Sequence, residues 1–154
     1  MPETGETAPD FTLPRDGGGE VSLSELKGAP VVLYFYPRDD TPGCTTEGKD
    51  FTAAGEDFKK AGATVLGVSK DSVASHDKFR DKHELSVILL SDEGSDVCEA
   101  YDVWGEKKMY GKTFMGIDRA TFLIDSDGKI ARTWRKVKVP GHVDEVLEAV
   151  RALG

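Results

Sequence analysis

The sequence predicts an α/β protein in which helices flank a central mixed β-sheet, with a β-hairpin at its N-terminus. Three observations carry that expectation. Strand-like runs alternate with helical repeats through most of the chain, the pattern of parallel β-α-β units. Val31-Val32-Leu33-Tyr34-Phe35-Tyr36 is a continuous β-branched and aromatic run, as expected of a strand buried on both faces. Late in the chain an Asp/Gly turn joins two apolar runs, which adds antiparallel strands to the parallel set.

The elements follow in order. Phe11 to Leu13 and Val21 to Leu23 flank Asp16-Gly17-Gly18-Gly19, a hairpin with a glycine turn. Pro37 ends the central strand, since proline has no N–H for the next ladder bond. From Thr45 to Ala61 the apolar residues Phe51, Ala54, Phe58 and Ala61 have helical spacing, and Gly62 stands at the stop position. A strand over 63–68, a helix over 72–83 and a strand over 87–90 come next, then a helix through Val97 and Tyr101. Thr121 to Ile124 and Ile130 to Trp134 enclose Asp125-Ser126-Asp127-Gly128-Lys129 as the second hairpin. Val143, Val146, Leu147, Val150 and Leu153 form the apolar face of a last helix. The stretch from Glu106 to Asp118 shows no periodicity and reads as a long loop, with Tyr110 and Phe114 as core or pocket wall.

A chain of 154 residues fits a single domain spanning 1–154. Its formal net charge of −8 argues against nucleic acid and anionic membranes as partners, because both need basic surface. No secretory signal and no membrane-spanning run is visible, and two cysteines in such a chain suggest a reducing compartment, so a cytoplasmic protein is expected. His76, His83 and His142 are scattered, Asp125-Ser126-Asp127-Gly128 lacks the rest of a calcium loop, and no nucleotide fingerprint is present; neither metal nor cofactor is expected.

Cys44 follows the turn Pro42-Gly43 at the start of a predicted helix. It is either an inert packing cysteine or a nucleophile, and its polar, turn-rich surroundings favour the second. Nucleophilic attack needs the thiolate, and a free thiol has a pKa of about 8.5. Lowering a thiol pKa by ~2 corresponds to roughly 2.7 kcal/mol, whereas a helix N-terminus supplies about 0.3–1 kcal/mol. Asp39, Asp40 and Glu47 act in the opposite sense, so a cation from elsewhere is required. Arg119, just before the strand Thr121 to Ile124, is the candidate. From the residues alone, Thr41 also fits a turn, Pro37 a strand stop and Arg119 a surface ion pair; Glu47 fits either a helix cap or a partner that places Arg119.

Pro37-x-x-x-Thr41-x-x-Cys44, within Tyr34-Phe35-Tyr36-Pro37 and Thr41-Pro42-Gly43-Cys44-Thr45-Thr46-Glu47, resembles the peroxiredoxin signature, specifically the bacterioferritin-comigratory or PrxQ subfamily. The resemblance extends from Gly5-x-x-Ala8-Pro9-Asp10-Phe11 through Ser91-Asp92 and Tyr101-x-Val103-Trp104-Gly105 to Arg119-x-Thr121-Phe122-Leu123-Ile124-Asp125. It implies a thioredoxin-like fold and a thiol-dependent peroxidase acting on hydrogen peroxide and organic hydroperoxides. It also implies a monomer reduced by thioredoxin or by glutaredoxin with glutathione. Carried onto matching positions, Cys44 becomes the peroxidatic thiolate that is oxidised to a sulfenic acid. Thr41 hydrogen-bonds the peroxide, Pro37 shields the thiolate, and Arg119 stabilises the developing charge.

The chain departs from the subfamily where many members carry a resolving cysteine five residues after the first; here that position is Lys49. Cys98 is the one remaining intramolecular candidate, and packing is the simpler reading of it. A one-cysteine cycle with an external thiol is therefore expected. A redox-sensing or chaperone-like protein using Cys44 as sensor is the competing class. Gly48 and Gly55 in the Cys44 helix fit either easy unwinding or close packing.

Overall fold

A computed structural model describes residues 2–153. Its framework is a five-stranded sheet ordered β5-β4-β3-β8-β9. The strands are β3 (Val31–Phe35), β4 (Thr64–Ser69), β5 (Ile88–Ser91), β8 (Ala120–Ile124) and β9 (Ile130–Arg135). β3, β4 and β5 run parallel, while β8 pairs antiparallel with β3 and β9 antiparallel with β8, giving the expected mixed sheet. β1 (Thr12–Pro14) and β2 (Glu20–Ser22) form the N-terminal hairpin as a separate two-stranded ribbon.

The helices are α1 (Pro42–Ala53), α2 (Gly55–Lys60), α3 (Val73–His83), α4 (Val97–Ala100) and α5 (His142–Ala152). The helix expected from Thr45 to Ala61 begins three residues earlier and is split at Ala54, whose φ of −90° and ψ of 4° leave the helical range. Gly62 ends α2 with φ of +80°, and the Ala63 amide reaches back to the Phe58 carbonyl, as a glycine stop predicts.

Residues 104–117 differ from the expected long loop. They form β6 (Trp104–Met109) and β7 (Lys112–Ile117), an antiparallel ribbon closed by Tyr110 and Gly111, both with positive φ. Most of its residues are exposed on both faces, so no alternation of apolar and polar residues marks it. Tyr110 is 95% exposed and Phe114 44%, which removes both from the core.

Period-two alternation divides the core between the two faces of the sheet. Val31, Leu33 and Phe35 point to one face, where Leu13, Cys98, Tyr101 and Phe122 pack. Val32, Tyr34 and Tyr36 point to the other, against Cys44, Phe51, Phe58, Phe79 and α5. The Tyr34 ring stacks on Phe51 at 4.5 Å and lies over Gly67, where a Cβ would come within 2.7 Å of it. Glycine is required at that point of β4 because the aromatic ring occupies the side-chain position.

Candidate active site

The chain leaves β3 at Tyr36 and turns through Pro37 to Thr41 into α1. Asp40, with φ of 59°, makes the turn. Thr41 is the residue before the helix and Pro42 its first residue, a position where the missing N–H costs nothing. Gly43 and Cys44 follow in the first turn, so their amides have no intrahelical acceptor and point toward the space in front of the helix. Cys44 itself is 2% exposed.

Arg119 lies between β7 and β8 and reaches Cys44 across the sheet end. Its Nη2 donates to Cys44 Sγ at 3.4 Å and its Nη1 donates to Glu47 Oε1 at 2.6 Å. The cation expected beside Cys44 is therefore in contact with its sulfur. Glu47, left open between two roles by the sequence, is the residue that places Arg119; it makes no cap. It is fully buried one helical turn after Cys44, and its Oε2 has no hydrogen-bond partner.

The two members of this pair respond differently to burial. Burial pushes the Glu47 carboxyl up to about 7, against the pull of Arg119. Burial works against the charged Arg119 as well, but Glu47 and Cys44 outweigh it and raise the guanidinium pKa. Arg119 is a fixed cation, and Glu47 is the group that can change charge near neutrality.

Pro37 is half-buried. Thr41 is half-buried, and its hydroxyl donates to the Arg38 carbonyl at 2.9 Å. The oxygen lone pairs remain free to accept from a peroxide hydroxyl. Cys98 is elsewhere: it is fully buried in α4, within the core on the opposite face of the sheet from Cys44. Burial, reinforced by the neighbouring Asp92, pushes its thiol pKa up, away from the reactive form. Both cysteines are free thiols. Lys49 is exposed on α1.

Two features escaped the sequence reading, the fit of Gly43 to Arg119 and the burial of Asp39 against His76, and one that it left open is decided. Gly43 is shaped to Arg119, since a Cβ there would stand 3.0 Å from Nη2. Gly48 and Gly55 are explained by close packing: a Cβ would meet Leu85 at 3.2 Å and Ser86 at 3.3 Å respectively. Asp39, five residues before Cys44, is buried against His76. Among the described residues no group of three or more His, Cys, Asp or Glu side chains is placed to hold a metal, and no helix is long and apolar enough to cross a membrane.

Over residues 4–133 the sequence matches the AhpC/TSA family. It is 53% identical over 145 residues to the putative peroxiredoxin bcp of Coxiella burnetii, covering 94% of this chain and 96% of that one. It is 50% identical over 149 residues to peroxiredoxin Bcp of Bacillus subtilis, covering 97% and 95%. Among solved structures, the bacterioferritin comigratory protein of Xanthomonas campestris, described for its alkyl peroxide reduction activity, is similar with a TM-score of 0.90 at 48% identity, covering 99% and 98%. Peroxidoxin BcpB of Mycobacterium tuberculosis is similar with a TM-score of 0.88 at 35% identity, covering 100% and 99%.

Proposed function

The chain belongs to the AhpC/TSA family as a peroxiredoxin of Bcp/PrxQ type and is a thiol-dependent peroxidase; from that premise we propose that Cys44 is its peroxidatic residue, working in a one-cysteine cycle. The observation that carries this reading is the Arg119 guanidinium at 3.4 Å from Cys44 Sγ, in front of the first turn of α1.

The thiolate attacks one peroxide oxygen. A sulfur–oxygen bond forms, the oxygen–oxygen bond breaks, and the electron pair leaves on the second oxygen, which takes a proton to become water or an alcohol. Negative charge moves from sulfur to the leaving oxygen, so Arg119 and the amides of Gly43 and Cys44 stabilise the transition state more than the thiolate alone. Thr41 accepts from the peroxide hydroxyl and orients it, while Pro37 keeps water from the sulfur. An external thiol then attacks the sulfenic acid sulfur, releasing water and leaving a mixed disulfide that a second thiol reduces.

The opposite placement of Cys44 and Cys98 about the sheet supports external resolution, because a disulfide needs Cα atoms within about 7 Å. The reductant is thioredoxin or glutaredoxin with glutathione, the substrates are hydrogen peroxide and organic hydroperoxides, and the protein acts as a cytoplasmic monomer. Peroxide consumption is expected to vanish in Cys44→Ser and to persist in Cys98→Ser. Mass spectrometry after one equivalent of peroxide should find one oxygen on Cys44. A Cys44–Cys98 disulfide would overturn the one-cysteine cycle, and retained consumption in Cys44→Ser would overturn the assignment itself.

A further inference from the structure

Beneath the loop that leads to Cys44 is a polar cluster that the thiolate chemistry does not use. His76, on α3, is fully buried, and both ring nitrogens are engaged: Nδ1 lies 2.7 Å from Asp39 Oδ2 and Nε2 lies 2.8 Å from the Leu90 carbonyl oxygen. Carbonyl and carboxylate oxygens accept, so the ring that satisfies both carries both protons. Tyr36 donates its hydroxyl to Asp39 Oδ1 at 2.6 Å, and Ser75 donates to Oδ2 at 2.8 Å. The Asp39 amide in turn donates to Asp71 Oδ2 at 2.9 Å, and the Ser69 hydroxyl holds that same oxygen at 2.6 Å.

The next residue is tied to the same helix. Asp40 meets Lys82 Nζ and His83 Nε2, each at 2.8 Å. The loop is thus strapped to α3 at two consecutive residues, one buried and one exposed. The buried strap is the costlier to break, since releasing either partner leaves a polar group unpaired inside the protein.

We propose that His76 is a positioning residue for the peroxidase reaction: by holding Asp39 it fixes the segment from Pro37 to Cys44 in the arrangement that meets peroxide, and release of that hold is the opening through which an external thiol reaches oxidised Cys44. The inference rests on the reading of Cys44 as the peroxidatic residue. The groups facing His76 are Asp39 from the loop, Tyr36 beyond β3, Asp71 before α3, the Leu90 carbonyl of β5, and Ser75 on its own helix; Asp77 and Arg80 of α3 are engaged with residues 16 and 17 instead. Burial lowers the His76 pKa, but Asp39, the Leu90 carbonyl and Asp71 outweigh it and raise the value above 6.5. The hold is an ion pair below that range and weakens to a neutral hydrogen bond as pH rises through the raised pKa, because the carboxylate is the stronger acceptor and keeps the Nδ1 proton while Nε2 gives up its own.

Stopped-flow mixing separates the two steps: reduced full chain with hydrogen peroxide gives sulfenic acid formation, and oxidised chain with dithiothreitol gives its reduction. Each rate is taken as a ratio of variant to wild type from about pH 5.5 to about pH 9, which cancels the ionisation of the reactants. In His76→Gln, which can still donate to Leu90 but offers nothing to Asp39, the peroxide step should be about tenfold slower at acid pH and the thiol step faster, with both ratios moving toward one at alkaline pH as the wild-type pair loses its charge. His76→Asn, whose amide nitrogen stands near the place of Nδ1, should restore part of the peroxide rate. Asp39→Asn removes the other partner and should give the same opposed, pH-dependent ratios, and it decides the matter where His76→Gln does not fold. Ratios independent of pH, or both steps slowed in parallel, overturn the proposal. Peroxide consumption surviving in Cys44→Ser would instead sink the reading of Cys44, whatever the His76 variants do.

Discussion

A Cβ on Gly43 would stand 3.0 Å from Nη2 of Arg119, the nitrogen that donates to Cys44 Sγ. The guanidinium fills space that a side chain at position 43 would contest. Gly43 is an ordinary helical residue by its backbone, so Gly43→Ala meets no backbone strain, and alanine favours the helix by up to about 1 kcal/mol. The substitution should therefore leave the melting temperature unchanged or raised. It should lower the rate constant with hydrogen peroxide on the order of tenfold, because a displaced hydrogen bond from a charged donor is worth about 1.5–3 kcal/mol. An unchanged rate constant in Gly43→Ala would show that the contact between Nη2 and sulfur contributes nothing.

Arg119 bridges two residues at once, and that double role predicts an asymmetry between its variants. Lysine presents a point charge on a flexible stem and cannot hold Glu47 and Cys44 together with fixed geometry. Arg119→Lys should retain the fold and lose roughly 10- to 100-fold in peroxide rate, the free-energy equivalent of one charged hydrogen bond. Arg119→Met leaves Glu47 buried without its cation. Because Glu47 titrates at about 7 even with Arg119 present, the variant should be only mildly destabilised at low pH and increasingly so above neutrality. Denaturant melts on either side of neutrality check this, and equal losses at both pH values would contradict it.

What the sequence made legible follows from where burial is one-sided or complete. The run Val31 to Tyr36 announced the central strand because both of its faces are covered, and the Asp125–Lys129 turn announced its hairpin because Asp125 Oδ1 accepts from the Asp127 and Lys129 amides. The ribbon from Trp104 to Ile117 left no such mark, since water on both faces removes the period of two. At the site, the pairing of Arg119 with Cys44 was legible because a thiolate there would require a cation, and Arg119 ends the long unpatterned stretch. Glu47 was ambiguous because a carboxylate just after a helix start fits both a cap and an ion pair. Asp39 with His76 is 37 positions apart in sequence, and no local rule couples them.

Cys98 offers a control for packing without chemistry. Its side chain is fully buried beside Phe35 and Tyr101 on the face of the sheet away from Cys44. Cys98→Ala should keep the peroxide rate constant of the wild type while lowering stability by about 1 kcal/mol, the transfer and cavity cost of a small buried group. A fall in turnover with thioredoxin or glutathione, with the peroxide step intact, would give Cys98 a part in resolution after all.

Glu47 and His142 make opposed contributions to stability over nearly the same pH range. Burial raises Glu47 from 4.5 to about 7, so the folded chain binds the extra proton and stability falls as pH rises through that interval. Burial lowers His142, whose Nε2 lies 2.7 Å from the Thr121 hydroxyl, from 6.5 to about 4, so the unfolded chain binds the extra proton and stability falls as pH drops. Each slope has a limit of about 1.4 kcal/mol per pH unit, with opposite sign, and the two overlap between 4.5 and 6.5. The wild type should therefore show a nearly flat stability profile across that window. Glu47→Gln, which keeps an oxygen for Arg119 but cannot titrate, should unmask a stability that climbs with pH. His142→Gln should unmask one that declines. Urea unfolding at a series of pH values measures all three, and parallel profiles would mean that folding shifts the protonation of neither buried group.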